Sequence, residues 1–248
     1  MRAVQILQTG GLAALRLIYP PTCLTCDALV AEEQGLCGTC WRDTPFVGAP
    51  ACHGCGAPLM ADHAVAEELC DDCLVIERPW VAGRTALIYR GTGRKLVLGL
   101  KHGDRLDIAR PAARWMAQAG RELVRPGMVV TAVPLHWRRR IKRRYNQSVL
   151  LGRGVARGLG LTFCPDLLLR RVATPVLDGK GREARFAVMS DALTINPRRA
   201  AMAQGRPVLL IDDVMTSGAT LSAATEAVLR AGAAEVSVLT LARAVKAP

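Results

Sequence analysis

The sequence predicts an α/β fold in which a parallel sheet carries helices on both faces and a small cysteine-rich module precedes it. Cysteine pairs are concentrated before residue 77, whereas strand and helix patterns alternate from residue 78 onward. This alternation is typical of a parallel sheet that is covered on both faces. Near the C-terminus, four consecutive apolar residues end in two aspartates, which indicates a central strand buried on both sides.

Length and composition suggest the domain organisation. The 248 residues suffice for one large domain and a small module, and 50% of them are hydrophobic, which allows a substantial core. We expect an amphipathic helix in residues 1–20, the cysteine-rich module in residues 21–77 and the α/β domain in residues 78–248. No apolar run is long enough to span a membrane and no signal-peptide cleavage site is evident, which predicts a cytoplasmic protein. The net charge of +12 favours an anionic partner: nucleic acid, nucleotide or pyrophosphate.

The cysteine-rich module has metal-ligand spacing. Eight of the nine cysteines form four Cys-x-x-Cys pairs: Cys23 with Cys26, Cys37 with Cys40, Cys52 with Cys55, and Cys70 with Cys73. Two thiolates three positions apart on a tight turn can face one ion, and two such pairs complete a tetrahedral Zn²⁺ site. A segment this short and poor in large apolar residues needs such a cross-link to fold. We therefore predict two structural zinc sites.

Other uses of these cysteines fit less well. Disulfides require an oxidising compartment, which no export signal indicates, and four copies argue against redox-active pairs. If neighbouring pairs share one ion, the loops that metal binding closes are shorter and cost less entropy. An interleaved arrangement of the same residues remains open. The ninth cysteine, Cys164, stands alone beside a proline and is expected to be a buried, inert thiol.

The elements of the α/β domain follow from hydrophobic periodicity. Strands are expected at residues 81–89, 128–133, 207–211 and 236–241. Helices are expected at residues 91–100, 108–123 and 146–159, and again after residue 220. In the last helix Leu221, Ala224 and Val228 recur at helical spacing, and Gly232 is a suitable end. In a parallel sheet of this kind, ligands bind beyond the carboxyl ends of the strands.

A phosphate-binding pattern follows one of these strands. Asp212 and Asp213 come directly after the apolar run, and a turn of small and hydroxylated residues comes next. The candidates for holding phosphate in this turn are Thr216, Ser217, Gly218, Ala219 and Thr220. Backbone N–H groups of the turn and the helix N-terminus can bind phosphate, while the carboxylates can accept hydrogen bonds from sugar hydroxyls or hold hydrated Mg²⁺. An ordinary polar turn is the alternative, but two carboxylates at the end of a buried strand are costly unless they are used.

A strongly basic stretch follows another strand. Six of the seven residues at 138–144 are basic, and Trp137 and Tyr145 flank them. Because the carboxyl ends of parallel strands share one edge, this stretch is expected near the phosphate-binding turn. Its cations can hold pyrophosphate, or they can contact a nucleic-acid backbone while an aromatic ring stacks on a base. A solvated charged loop is the alternative.

These motifs resemble those of a known family. The stretch at residues 208–220 is similar to the motif by which type I phosphoribosyltransferases bind 5-phosphoribosyl 1-pyrophosphate (PRPP). Taken in order, the Cys-x-x-Cys pairs, the Val-Pro-Leu-His at residues 133–136, the Arg-Tyr-Asn-Gln at residues 144–147 and this motif resemble the ComF/GntX family. The resemblance implies a double zinc ribbon, a type I phosphoribosyltransferase-like domain and a role in DNA uptake during natural transformation. Residues 170–179 depart from the family pattern because they lack its usual Gln.

The resemblance also implies roles for individual residues. The turn at 216–220 would hold the 5-phosphate of PRPP, and Asp212 and Asp213 would hold the ribose hydroxyls and the water on Mg²⁺. The residues expected to face pyrophosphate are Pro134, Leu135, His136 and Arg138. Arg144 would close over it, and Lys101 matches a lysine segment of the family. Expected partners are PRPP or a related ribose phosphate, single-stranded DNA and competence proteins. A non-catalytic module that binds single-stranded DNA or senses nucleotides is the alternative function.

Overall fold

The computed structural model of the chain describes residues 19–31, 35–60, 67–102, 105–135, 145–170 and 192–245. The helix predicted in residues 1–20 lies almost wholly outside these ranges. Within them, the α-helices are α1 (Gly38–Arg42), α2 (Asp71–Val75), α3 (Gly91–His102), α4 (Ala109–Ala119), α5 (Gln147–Leu159) and α6 (Ala219–Arg230). The strands are β1 (Ala82–Ile88), β2 (Val129–Ala132), β3 (Thr162–Phe163), β4 (Leu168–Arg170), β5 (Leu193–Ile195), β6 (Pro207–Met215) and β7 (Glu235–Arg243).

Five strands form one parallel sheet in the order β1-β7-β6-β2-β3, and β4 pairs with β5 in a separate antiparallel ribbon. The middle strands β6 and β7 are apolar on both faces, as the sequence predicts for strands covered from both sides. Side chains alternate between the faces, so that Val208 and Leu210 pack in one core while Leu209 and Ile211 pack in the other.

Different elements cover the two faces of the sheet. Helix α6, the β4–β5 ribbon and a group of four cysteines pack on the face that carries Val208: Cys52, Cys55, Cys70 and Cys73. Helices α3, α4 and α5 pack on the face that carries Leu209, together with Leu24, which lies between Cys23 and Cys26. The predicted α/β class, with a parallel sheet between helices, is therefore confirmed. In the described part of the chain, no helix combines the length and apolar character needed to cross a membrane.

Strand β6 is longer than the sequence predicts. It continues past Ile211 to Met215, because β7 runs beside it over the same length and pairs Asp212 with Thr240. The two aspartates are thus part of the strand rather than of the turn that follows. In the predicted helix at 108–123, the α-helix ends at Ala119 and a 3₁₀ turn, Arg121–Leu123, follows Gly120. Gly232 has a φ of 89° just beyond α6, as expected of a residue that ends a helix.

Candidate functional site

The acidic pair lies near the carboxyl end of β6, in contact with two other elements. The Ser148 hydroxyl, in the first turn of α5, donates to Asp212 Oδ1 at 3.0 Å, and the Asp213 N–H donates to the same oxygen at 2.9 Å. The Lys101 ammonium, near the end of α3, lies 3.1 Å from Asp213 Oδ1. Both members of this ion pair are largely shielded from solvent, since their side chains are 20% and 13% exposed.

Asp212 holds a proton more tightly than an ordinary aspartate. Burial and the neighbouring Asp213 carboxylate raise the pKa of Asp212 to about 7. A cation bound to the pair favours the fully ionised form, because it offsets the repulsion between the two carboxylates. The donor set of two carboxylates is of the type that holds hydrated Mg²⁺.

Residues 145–148 join the elements of the site to one another. Tyr145 Oη donates to the Leu100 carbonyl at 2.9 Å, which fastens the end of α3. Asn146 caps α5 by accepting a hydrogen bond from the Ser148 N–H, and its amide donates to the Val133 carbonyl at 3.2 Å. Gln147 is buried and donates to the Leu100 and Lys101 carbonyls, each at 3.4 Å. This segment therefore sets the position of Lys101 and Ser148 relative to the acidic pair.

The predicted phosphate-binding turn connects β6 to α6. Thr216 is exposed, Ser217 and Thr220 are partly exposed, and Gly218 and Ala219 are buried. Gly218 has a φ of 87° and forms the N-cap position of α6, where no side chain of the described residues caps the helix. The Ala219 N–H donates only weakly to Ser217 Oγ, at 3.4 Å. The start of α6 can therefore offer N–H groups to an anion.

Strand β2 brings part of the second predicted segment to the same edge. The Val133 N–H donates to the Ile211 carbonyl at 2.9 Å, so Pro134 and Leu135 leave the sheet beside the acidic pair. Both are partly buried. His136, Arg138, Arg144 and the remainder of the basic stretch lie outside the described residues.

Two arginines that the sequence did not single out lie against the phosphate-binding turn. Arg78 Nη1 donates to the Ser217 carbonyl at 2.8 Å. Arg243, which is 2% exposed, donates to the carbonyls of Met215 and Thr216. The sequence held one signal for Arg243: a charged residue ends the mainly apolar strand β7. Ser148 was likewise missed, because its role depends on where α5 meets β6.

The eight paired cysteines form two groups, taken in sequence along the chain. The four sulfur atoms of Cys23, Cys26, Cys37 and Cys40 lie within 4.8 Å of one another, as do those of Cys52, Cys55, Cys70 and Cys73. The sulfurs of Cys26 and Cys37 are 3.7 Å apart and those of Cys55 and Cys70 are 3.6 Å apart. A tetrahedral Zn²⁺ with bonds of about 2.3 Å separates its sulfur ligands by about 3.8 Å, so both groups fit zinc. The structure thereby favours sequential over interleaved pairing.

The close approach of the thiols changes their acidity. Hydrogen bonds with Cys55, Cys70 and Cys73 lower the pKa of Cys52 well below its usual range, whereas hydrogen bonds with Cys52 and Cys55 raise the pKa of Cys73. Backbone N–H groups also point at sulfur: Cys70 donates to Cys52 at 3.2 Å and Cys37 donates to Cys23 at 3.3 Å. Such donors stabilise thiolates, as a metal site requires.

Comparison with known proteins agrees with this architecture. A family model described as a double zinc ribbon domain matches residues 14–74, and one described as a phosphoribosyl transferase domain matches residues 146–247. The DNA utilization protein YhgH of Escherichia coli (strain K12) is 30% identical over 234 residues, covering 92% of this chain and 99% of that protein. Competence protein F of Haemophilus influenzae is 27% identical over 230 residues, covering 90% and 96%.

Among solved structures, the allosteric regulatory enzyme of purine biosynthesis is similar over 58% of this chain and 30% of its own, with a TM-score of 0.40 and 18% identity. The two matched domains define the class of protein: a double zinc ribbon joined to a phosphoribosyltransferase domain. Within that class, the extent of the match to its relatives shows that the chain belongs to the ComF/GntX family. The family predicted from the motifs is confirmed.

Proposed function

We propose that this protein binds PRPP together with Mg²⁺ in the pocket at the carboxyl end of β6, and that it acts in the cytoplasm in DNA uptake during natural transformation. One observation carries the proposal: Asp212 and Asp213 lie near the end of β6, which leads through the 216–220 turn into the uncapped N-terminus of α6, and they contact Ser148 and Lys101. Carboxylates, hydroxyl groups and free N–H groups at one sheet edge are what a phosphorylated sugar requires.

In this proposal each part of PRPP meets a different element. Thr216, Ser217 and Thr220 donate hydroxyl hydrogen bonds to the 5-phosphate, and the backbone N–H groups of the same turn complete its shell. Asp212 and Asp213 accept hydrogen bonds from the ribose hydroxyls and orient water on Mg²⁺. Pro134 and Leu135 begin the segment that faces pyrophosphate, which would continue through His136 and Arg138 to Arg144.

Lys101 has two candidate partners in this pocket. Without ligand its ammonium neutralises Asp213 at 3.1 Å. When Mg²⁺ and its bound water occupy the carboxylates, that ion pair is weakened, and the ammonium is free to turn toward a pyrophosphate oxygen. By exchanging one anion for another, the partly buried ammonium keeps a charged partner in both states.

Two activities suit such a pocket. In the first, an acceptor displaces pyrophosphate from C1 of the ribose, and the cations of the pocket stabilise the charge that develops on the leaving group. In the second, the pocket senses PRPP or a nucleotide without transfer, and single-stranded DNA binds along the basic stretch at 138–144. The net charge of +12 favours the binding of DNA in addition to whichever of these the pocket performs, as do relatives named for DNA utilization and competence.

Calorimetric titration of the zinc-loaded protein with PRPP and Mg²⁺ tests the pocket. We expect saturable binding that the double substitution Asp212→Asn with Asp213→Asn abolishes. Asp166→Asn is the matched control, because Asp166 pairs with Arg199 outside this pocket. Unchanged PRPP affinity in the double variant would reject the site.

Pyrophosphate release across a panel of bases and nucleotides separates the two activities. Release with any acceptor supports transfer, and none across the panel rejects it. Titration with single-stranded DNA tests the basic stretch, and affinity that survives replacement of Arg138, Arg139, Arg143 and Arg144 by Ala would reject that part of the proposal. Pull-down of competence proteins from a transformable host tests for partners.

A further inference from the structure

Two guanidinium groups donate hydrogen bonds to the backbone carbonyls of the phosphate-binding turn. Arg243 donates to the carbonyls of Met215 and Thr216, and Arg78 donates to the carbonyl of Ser217. The carbonyls of Thr216 and Ser217 therefore face guanidinium groups, while the Met215 carbonyl also accepts the sheet hydrogen bond from the Ala244 N–H at 2.9 Å. Because a trans peptide places its C=O and the next N–H on opposite sides, the N–H groups of Ser217 and Gly218 point outward. The two arginines thus set the direction of donors that a phosphate would use.

Arg243 is connected to the second group of cysteines. Its Nη2 lies 3.1 Å from Asp72 Oδ2, and Asp72 is in α2 between Cys70 and Cys73. Burial alone would lower the pKa of Arg243, but its interactions with Cys55 and Asp72 raise it. Since the guanidinium is 2% exposed, it cannot change partners without moving either the turn or the cysteine group.

Arg78 is connected to the same group by another route. Its guanidinium lies over the Trp80 ring, 5.4 Å from the ring centroid. The Trp80 indole N–H in turn donates to the carbonyl of Gly54, which lies between Cys52 and Cys55, at 2.6 Å. Arg78 packs closely against the turn, since a Cβ on Gly218 would lie 2.5 Å from Arg78 Nη1 and would displace the guanidinium.

The two cysteine groups differ in their relation to the sheet. Cys52 and Cys55 are fully buried and pack in the same core as Met215 and Ala219 at either end of the turn. In the first group Cys26 is exposed, and the group reaches the opposite face of the sheet, where the Leu24 carbonyl accepts a hydrogen bond from Arg105 at 3.4 Å. Metal loss from the second group would therefore disturb the anchors of the turn directly.

We propose that Arg78 and Arg243 are positioning residues that couple zinc in the second cysteine group to the phosphate-binding turn, so that the turn binds a ribose 5-phosphate tightly only while that group holds its metal. This inference rests on the proposed function, because it assumes that the turn binds a sugar phosphate. Coupling between two sites is reciprocal, so bound ribose 5-phosphate must also retain zinc in the second group by the same factor.

Zinc retention gives a test that does not depend on activity. The zinc-loaded full chain is equilibrated with a colorimetric zinc chelator, with and without ribose 5-phosphate. In the variant Cys26→Ser the first group is disrupted, so the zinc that is measured comes from the second group. We expect saturating ribose 5-phosphate to retain the second zinc about tenfold better in wild type and in Cys26→Ser. Arg78→Met leaves the route through Arg243, so it should reduce this retention rather than abolish it and should weaken ribose 5-phosphate binding about tenfold; Arg78→Lys should restore part of both.

Arg105→Met is the matched control, because it removes an arginine that donates to a backbone carbonyl of the first group; it should leave retention of the second zinc unchanged. If ribose 5-phosphate binds the wild type in calorimetry but leaves retention of the second zinc unchanged, the coupling is wrong while the proposed function stands. If neither ribose 5-phosphate nor PRPP binds the wild type, the proposed function itself fails. Equal effects of Arg78→Met and Arg105→Met on retention would also overturn the coupling.

Discussion

Lys101 and Asp213 form an ion pair of 3.1 Å between the end of α3 and the end of β6. The pair joins α3 to the acidic residues of β6, and the hydrogen bond from Ser148 to Asp212 joins α5 to them. Each contact joins elements that are distant in the sequence, and each can be removed by substitution of Lys101 or Ser148 without deleting a carboxylate. Substitution of these partners therefore tests the candidate site while both carboxylates stay in place.

Replacing Lys101 by Met should weaken PRPP binding and lower stability together. The change leaves Asp213 partly buried without its cation, and an unpaired buried charge of this kind costs about 1–3 kcal/mol. We expect a lower urea midpoint and about a tenfold loss of PRPP affinity. Lys95→Met, an exposed lysine on the same helix, is the control and should change neither. A Lys101→Met protein with normal stability and affinity would show that the ion pair has no part in the pocket.

Asp212 should make stability depend on pH near neutrality. Its pKa of about 7 in the folded protein exceeds the ordinary value of 3.8, so the folded state binds the proton more tightly and stability falls as the pH rises through this interval. Asp212→Asn lacks this dependence. Between about pH 5 and about pH 8, without Mg²⁺, the wild type should lose about 2 kcal/mol relative to the variant in urea unfolding. Parallel pH profiles for the two proteins would contradict the raised pKa.

A side chain at Gly218 should have two separable effects, one on stability and one on binding. Its φ of 87° strains any other residue, and a Cβ would meet Arg78 Nη1 at 2.5 Å. Gly205 also has positive φ, of 64°, but has open space around it. Both Ala substitutions should cost about 1 kcal/mol in thermal unfolding. Gly218→Ala alone should also weaken ribose 5-phosphate binding in calorimetry. If Gly218→Ala and Gly205→Ala bind ribose 5-phosphate equally well, the contact of Arg78 with the turn does not contribute to binding.

Loss of the second zinc site should damage the fold more than loss of the first. Cys55 is fully buried against the sheet, whereas Cys26 is exposed. We expect each Ser substitution to remove one zinc ion by mass spectrometry, and Cys55→Ser to lower Tm by ~10 °C or more because several kcal/mol of metal-linked folding energy is lost. Cys26→Ser should leave the main transition nearly unchanged. Similar Tm values for the two variants would contradict the unequal burial.

Much of the fold was predictable because it depends on local patterns. The apolar run at 208–211 predicts a central strand, since only a strand covered on both faces has no polar side. The length of that strand was not predictable: β6 continues to Met215 because β7 pairs with it through Arg243. Asn146 carried a local signal as a helix cap, whereas the contact of Tyr145 with Leu100 did not.

The sequence by itself determined the ligand types: eight cysteines at metal spacing, two adjacent carboxylates, and a hydroxyl-rich turn before a helix. These depend on neighbours in the chain, so spacing is enough to find them. Only the tertiary structure decided that Lys101 pairs with Asp213, and that Arg78 and Arg243 hold the turn. Sheet order and helix packing bring those residues together, and no periodicity in the chain encodes which distant carbonyl or carboxylate an arginine or lysine will meet.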